Sequence, residues 1–360
     1  MEPVVYNANE IDSPALIVDR EAVARNIDRL VELAGNVARL RPHVKTHKTP
    51  QIAQMMMSRG ILKFKCATIA EAEMLAKAGA PDIMLAYQPV GPKVSRLLSL
   101  ARQYPLARFS CLVDNEASVR QIAQAFASER LTARVAIDVN IGMNRTGLLP
   151  GQAPALAALI DSLDGITLVA LHGYDGHIHS PSMADRAAAA AVSFAELNRA
   201  LGSIPPRDPA LVPIAGGTVT FTAHLQNEGV ECSPGTFVLW DAGYASLMPE
   251  LPFTYAAFVM SRVISVVNRR CICLDVGYKA IASEKPLPRI RLLNVPNAQP
   301  IAQSEEHLVV QVPDSSLYPA GTIIFGVPEH ICPTVALYDK MHVVNNGIAD
   351  ETWEITARYR

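Results

Sequence analysis

A chain of 360 residues, half of them apolar, is long enough to bury substantial cores, which excludes a disordered or fibrous protein. Its 32 Lys and Arg stand against 34 Asp and Glu without basic clusters, so nucleic acid is not an expected partner. No apolar stretch approaches the roughly 20 residues that span a bilayer, and MEPVVYNANEIDSP at the N-terminus has no charged region followed by an apolar run, so neither a membrane span nor a secretory signal is expected and the protein reads as cytoplasmic.

From about residue 20 to 240, short β-branched runs alternate with helical stretches, the pattern of a parallel α/β fold. Candidate strands end at Lys45, Thr68, Tyr87, Asp114, Asn140, Gly173, Gly216 and Trp240. Helix patterns lie between them at 69–78, 115–128 and 183–201, with apolar residues at three and four spacing. Eight βα units in that length predict a (β/α)8 TIM-type barrel over residues 12–245. Beyond Tyr244, short runs such as AAFVMSRVISVV, CICLDVGY, RIRLLNV, HLVVQV, GTIIFGV and MHVV are separated by turn residues, which predicts a smaller all-β domain over 246–360. The extended patch PVVYNA within residues 1–11 is expected to join it. Six scattered cysteines fit reduced thiols better than a disulfide framework.

The chemistry-bearing residues collect at the expected strand ends. In LRPHVKTHKTP, strand alternation puts His43, Lys45 and His47 on one face. A lysine pointing into a barrel mouth, with its charge disfavoured by burial and cationic neighbours, suits imine formation with an aldehyde; the alternative is a solvated loop lysine beside two surface histidines. AGGT offers Gly216, Gly217 and Thr218 after the seventh strand, where barrels commonly bind phosphate, although glycine pairs also simply make turns. VNIGMNRTG and LHGYDGHIH place Asn144, Arg145, Tyr174, His177 and His179 at the same rim; each could equally be a satisfied structural polar residue. In PEHICPT, His330 and Cys332 fall on one side of an extended segment and could share a Zn²⁺ ion, or be a turn histidine beside a buried cysteine. Cys271 and Cys273 read as strand core.

Taken together, RPHVKTHK, MNRTG, GYDGH, AGGT, SPGTF and the late His-x-Cys resemble the D-threonine aldolase and D-serine dehydratase family, whose barrel is shared with alanine racemase. The resemblance implies pyridoxal 5′-phosphate (PLP) carried as an imine on Lys45, Arg145 near the cofactor's phenolate oxygen, and Tyr174 or His177 against its ring. It implies Gly216, Gly217, Thr218, Gly235 and Thr236 around the phosphate, with His330 and Cys332 on a divalent metal, Zn²⁺ first and Mn²⁺ or Mg²⁺ as alternatives. One departure is Ser233, where alanine racemases carry an arginine facing the pyridine nitrogen. The implied activity is that of a lyase on D-β-hydroxy amino acids, with Lys45 and a rim histidine, His43 or His177, as proton-transfer groups. The products would be those of a D-serine or D-threo-3-hydroxyaspartate dehydratase or of a D-threonine aldolase. Family dehydratases pair His with Cys and aldolases tend to pair His with Asp, so Cys332 leans towards elimination. The competing readings are a PLP-dependent racemase, with Tyr278 as its second base, and a non-catalytic PLP carrier. A homodimer is expected by the same resemblance.

Overall fold

A computed structural model of the chain describes residues 2–360. Its contacts group the chain into two compact units, one of residues 30–45 and 53–235, the other of residues 2–29, 46–52 and 236–359.

The strands of the chain are β1 (Ala15–Asp19), β2 (Lys63–Cys66), β3 (Asp82–Leu85), β4 (Arg108–Val113), β5 (Ala133–Val139), β6 (Ile166–Gly173), β7 (Val212–Ala215) and β8 (Glu231–Cys232), followed by eight more described below. In the first unit β2 to β8 pair in chain order, every neighbour parallel. Leu40 bridges Cys232 at one edge of this sheet and His43 bridges Lys65 at the other, both in parallel sense. The Arg41 N–H donates to Cys232 O at 2.8 Å and the Lys65 N–H to Pro42 O at 2.9 Å. Residues 40–43 therefore fill the eighth place and close a (β/α)8 ring. The eighth strand is two residues long and does not reach Trp240 as the sequence suggests, because Pro234 has no N–H to extend the ladder; Thr236–Val238 forms a 3₁₀ turn and Trp240 takes φ 50°.

Helices start where the sequence supplies a cap. The Thr68 hydroxyl accepts from the Glu71 N–H ahead of the helix Ile69–Lys77, while the Glu71 carboxylate reaches back to the Ala67 N–H at 2.6 Å. Asn115 and Ser182 do the same for Glu116–Ser128 and Met183–Ser203. Paired residues of adjacent strands share a face of the sheet, so register identifies the inner wall of the ring. Met84, Leu112, Ala136, Ala170 and Ile214 pack together there as an apolar layer. Asp138 and His172 stand two residues further along β5 and β6, on the same face and paired with each other. At the opposite end the buried Arg41 guanidinium bonds Asp82 at 2.5 Å and Glu231 at 2.7 Å, and Lys63 also bonds Glu231. This ion cluster ties the closing segment to both β3 and β8.

The second unit is built on β1, β9 (Ala257–Asn268), β10 (Cys271–Leu274), β11 (Ile290–Leu292), β12 (Gln299–Gln303), β13 (Leu308–Gln311), β14 (Ile323–Pro328), β15 (Lys340–Asn345) and β16 (Ile348–Glu354). The main path runs β12-β13-β10-β9-β1-β15-β16, with β14 on β9 and β11 on β14. β12 and β16 are its edges, and their exposed, polar residues explain why no alternating apolar pattern announces them. The Tyr6 N–H donates to Gly347 O and the Asn7 side chain to Ala349 O, at the β15–β16 turn and β16. Ile17, Phe258, Met260, Phe325 and Val327 centre its core. Among the described residues no helix is long and apolar enough to cross a membrane.

Candidate active site

Lys45 sits at the end of the closing segment, but not by strand alternation. Val44–Thr46 turns into a 3₁₀ helix, the Lys45 N–H donates to His43 Nδ1 at 3.2 Å, and His47 is swung away into a fully buried position with its Nδ1 on the Thr49 backbone. Burial pushes His47 down to about 3, so it is a neutral structural histidine and not a rim base. Lys45 is exposed, contrary to the expectation of burial, and its amine lies 6.0 Å from the centre of the Tyr174 ring. The Arg145 guanidinium lies 5.3 Å from the same ring centre. The strand ends β5 and β6 thus bring Arg145 and Tyr174 to Lys45.

Around them the remaining rim residues divide by role. His177 is exposed and its ring stands against Gly142, where a Cβ would come within 2.9 Å of it. Asn144 takes φ 54° and shares a hydrogen bond with Asn140, which makes it a turn residue. His179 is exposed. The AGGT loop is held from beneath: Asp175 accepts from the Thr220 hydroxyl at 2.9 Å and bonds His224 Nε2 at 2.7 Å, all three buried. A Cβ on Gly216, which has φ 80°, would lie 2.8 Å from His224, and one on Gly217 would lie 3.0 Å from the Tyr174 ring. Thr218 Oγ1 accepts from the Gly235 N–H at 3.0 Å, joining the two glycine turns. The Ser233 hydroxyl beside them is buried without a partner. An accessible amine, an aromatic ring flanked by a guanidinium, close-packed glycine turns and an orphaned hydroxyl are residues that PLP would fit.

The inner wall holds groups that the sequence reading did not single out. Lys65 is buried, and burial together with the charge of Lys45 pushes its amine down to about 7. His172 Nδ1 meets Asp138 Oδ1 at 2.7 Å, with Gln88 donating to the other carboxylate oxygen at 2.9 Å. Burial alone would raise the Asp138 carboxyl; the hydrogen bonds from His172, Thr146 and Gln88 hold it below its ordinary value, while burial and Lys65 lower His172. Hence the pair is carboxylate and neutral imidazole, and His172 Nε2 is buried without a partner. The signal available in sequence was a charged or polar residue at an inward position of an otherwise apolar strand, as in AIDVN and VALHG; KFKC, with two lysines, carries no such contrast.

In the second unit His330 is the extended residue ahead of the short helix Ile331–Val335, so Cys332 lies in a helical turn and not on an extended segment. The two side chains are nevertheless hydrogen-bonded, and His330 Nδ1 also meets Glu284 Oε1 at 2.5 Å. Burial would lower His330, but Cys332, Glu284 and Asp241 outweigh it and raise it to about 9. The Cys332 sulfur lies 3.1 Å from the Thr46 hydroxyl and 3.5 Å from that of Thr236, a residue the resemblance had assigned to the phosphate. Among the described residues no three His, Cys, Asp or Glu side chains are grouped to hold a metal. An imidazole with a thiol is a two-ligand donor set of the kind zinc accepts with open positions left over. Tyr278 is 39% exposed and tied by its backbone to Ser304.

Residues 18–238 match the alanine racemase N-terminal domain, and residues 256–344 the serine dehydratase domain. A D-threonine aldolase from Arthrobacter sp. is 30% identical over 97% of this chain and 93% of its own length. The chain belongs to the D-threonine aldolase and D-serine dehydratase family. Within that family, the crystal structure of D-threonine aldolase from Filomicrobium marinum superposes with a TM-score of 0.89 at 30% identity, covering 98% of this chain and 97% of the other. D-threo-3-hydroxyaspartate dehydratase from Delftia sp. shares the fold, with a TM-score of 0.82 at 23% identity over 96% and 97% of the two chains.

Proposed function

We propose that this chain is a PLP-dependent, metal-assisted lyase acting on D-3-hydroxy amino acids. The observation that carries the reading is the Lys45 amine beside the Tyr174 ring with the Arg145 guanidinium at the same ring, at the open end of the barrel. Bound PLP supplies an electron sink for charge left on the substrate's Cα. Lys45 would supply the attachment point for its aldehyde and a base at Nζ. Tyr174 would pack the ring, Arg145 would neutralise a phenolate oxygen, and the backbone of Gly216, Gly217 and Gly235 would accommodate the phosphate. His330 and Cys332 are the residues that would hold a divalent metal, whose contribution is Lewis acidity towards the substrate hydroxyl. His177, exposed at the rim, is the proposed acceptor of the hydroxyl proton.

Cleavage of the Cα–Cβ bond to glycine and an aldehyde is placed first, because both relatives at 30% identity are D-threonine aldolases. Loss of the hydroxyl to give a keto acid and ammonia is the second reading, favoured by the cysteine in the His330–Cys332 pair. A D-threo-3-hydroxyaspartate dehydratase that shares this fold is known in a metal-free form, which supports a metal in this family and so the metal reading here. The test is to load the protein with PLP and Zn²⁺ or Mn²⁺, supply D-threonine, D-serine and D-threo-3-hydroxyaspartate, and assay all four products. Glycine with aldehyde supports the first reading and ammonia with keto acid the second. No product from any of the three, or full activity in Lys45→Ala, overturns the proposal.

A further inference from the structure

We propose that Glu284 is a positioning residue for the metal: its carboxylate fixes His330 in the form that carries a proton on Nδ1, leaving Nε2 as the metal-binding atom. The inference rests on the reading of His330 and Cys332 as metal ligands and adds a residue to it. The geometry is specific about the atoms. Glu284 Oε1 meets Nδ1 at 2.5 Å, and a carboxylate can only accept there, so Nδ1 is the protonated nitrogen. The nitrogen left for a metal is then Nε2, whose proton the ion would displace on binding and which the anion behind the ring makes more basic. The sulfur is oriented in a parallel way, with the Thr46 and Thr236 hydroxyls 3.1 and 3.5 Å from Cys332 Sγ. Each donor atom of the half-site thus has its own fixing group.

A stabilising role does not account for the carboxylate. The His330 and Glu284 side chains are 35% and 44% exposed, and a half-exposed pair contributes little to folding. Glu284 lies 46 positions from His330 in sequence, in the connection between β10 and β11, so the contact is not the by-product of a turn. It brings a negative charge to a site that a two-ligand dication would need, since imidazole and thiolate together offer only one.

Two variants separate charge from orientation. Glu284→Gln keeps an oxygen to accept the Nδ1 proton and removes the charge; Glu284→Ala removes both. Zinc affinity of the PLP-loaded protein is measured by competition with a chromophoric chelator, and the His330 tautomer by ¹⁵N-resolved NMR of the zinc-loaded protein. The expected result is a loss of about 10- to 100-fold in zinc affinity for Glu284→Ala, a smaller loss for Glu284→Gln, and an Nδ1–H signal for His330 in the unaltered protein. Equal zinc affinity in Glu284→Ala, or His330 bound through Nδ1, overturns the inference alone. If the unaltered chain takes up no zinc, or His330→Ala takes it up unchanged, the metal reading fails and the inference with it.

Discussion

Lys65 and Lys45 are two lysines that the fold treats in opposite ways. Lys45 is exposed, whereas Lys65 is sealed in the inner wall with its amine pushed from 10.5 to about 7 by burial and by Lys45. Between those two values the unfolded chain holds a proton on Lys65 that the folded chain lacks, so this residue makes stability rise with pH through that window and imposes its full cost below pH 7. Lys65→Met is therefore expected to stabilise the protein by on the order of 1–4 kcal/mol at neutral pH, with the gain fading towards pH 10. Urea unfolding at pH 6.5, 8 and 9.5 checks it, and a gain that grows with pH contradicts the assignment. The sequence could not have ranked these two lysines, since alternation predicts the same inward face for a strand lysine whether it ends under a layer of side chains or in a 3₁₀ turn.

At the scale of elements, the closing segment 40–43 is held in the ring by only two isolated bridges, so the Arg41 cluster carries much of its fixation. Arg41→Ala leaves Asp82 and Glu231 buried without their shared cation and is expected to cost about 3–5 kcal/mol, read by denaturant unfolding. The AGGT loop depends in the same manner on Asp175. Asp175→Asn weakens the bonds to Thr220 and His224 without changing volume, and should loosen PLP binding about tenfold or more, measured by titration of the apoprotein, with the Lys45 attachment still forming at saturation. Helices and most strands were legible because their signals are local: Thr68, Asn115 and Ser182 cap the helices the apolar spacing outlines. The misses share one cause. β8 is two residues long, FVLW reads as a strand until Pro234 and Gly235 turn it, and edge strands β12 and β16 carry no apolar alternation; each is decided by neighbours far away in sequence.

For the molecule as a whole, each unit carries a different part of the proposed chemistry. Lys45, Tyr174, Arg145 and the glycine turns lie in the barrel unit, and His330 with Cys332 in the β unit. Zinc at a hundredfold excess over its dissociation constant should add about 2.7 kcal/mol to the state that binds it. Calorimetry of the PLP-loaded protein with and without zinc is expected to show that rise, reversed by a chelator and absent in Cys332→Ala; an equal rise in that variant would place the ion elsewhere. The order of the motifs was readable at this scale because a barrel presents its strand ends at one rim, which lets sequence position stand for spatial position. Inner-wall partners such as Asp138 with His172 were not, because their pairing is set by register between two strands.

The ring closure also has a consequence in time. Leu40 and His43 emerge early from the ribosome, yet their partners Cys232 and Pro234 come almost the whole length of the barrel unit later. Closing so long a loop is entropically the slowest pairing in the ring, and synthesis imposes the same order. The lysine proposed to carry the cofactor is thus made near the beginning and seated at the end, so on that proposal a nascent or truncated chain stopping short of residue 232 has Lys45 without its pocket, and cofactor capture would mark the moment the barrel is complete.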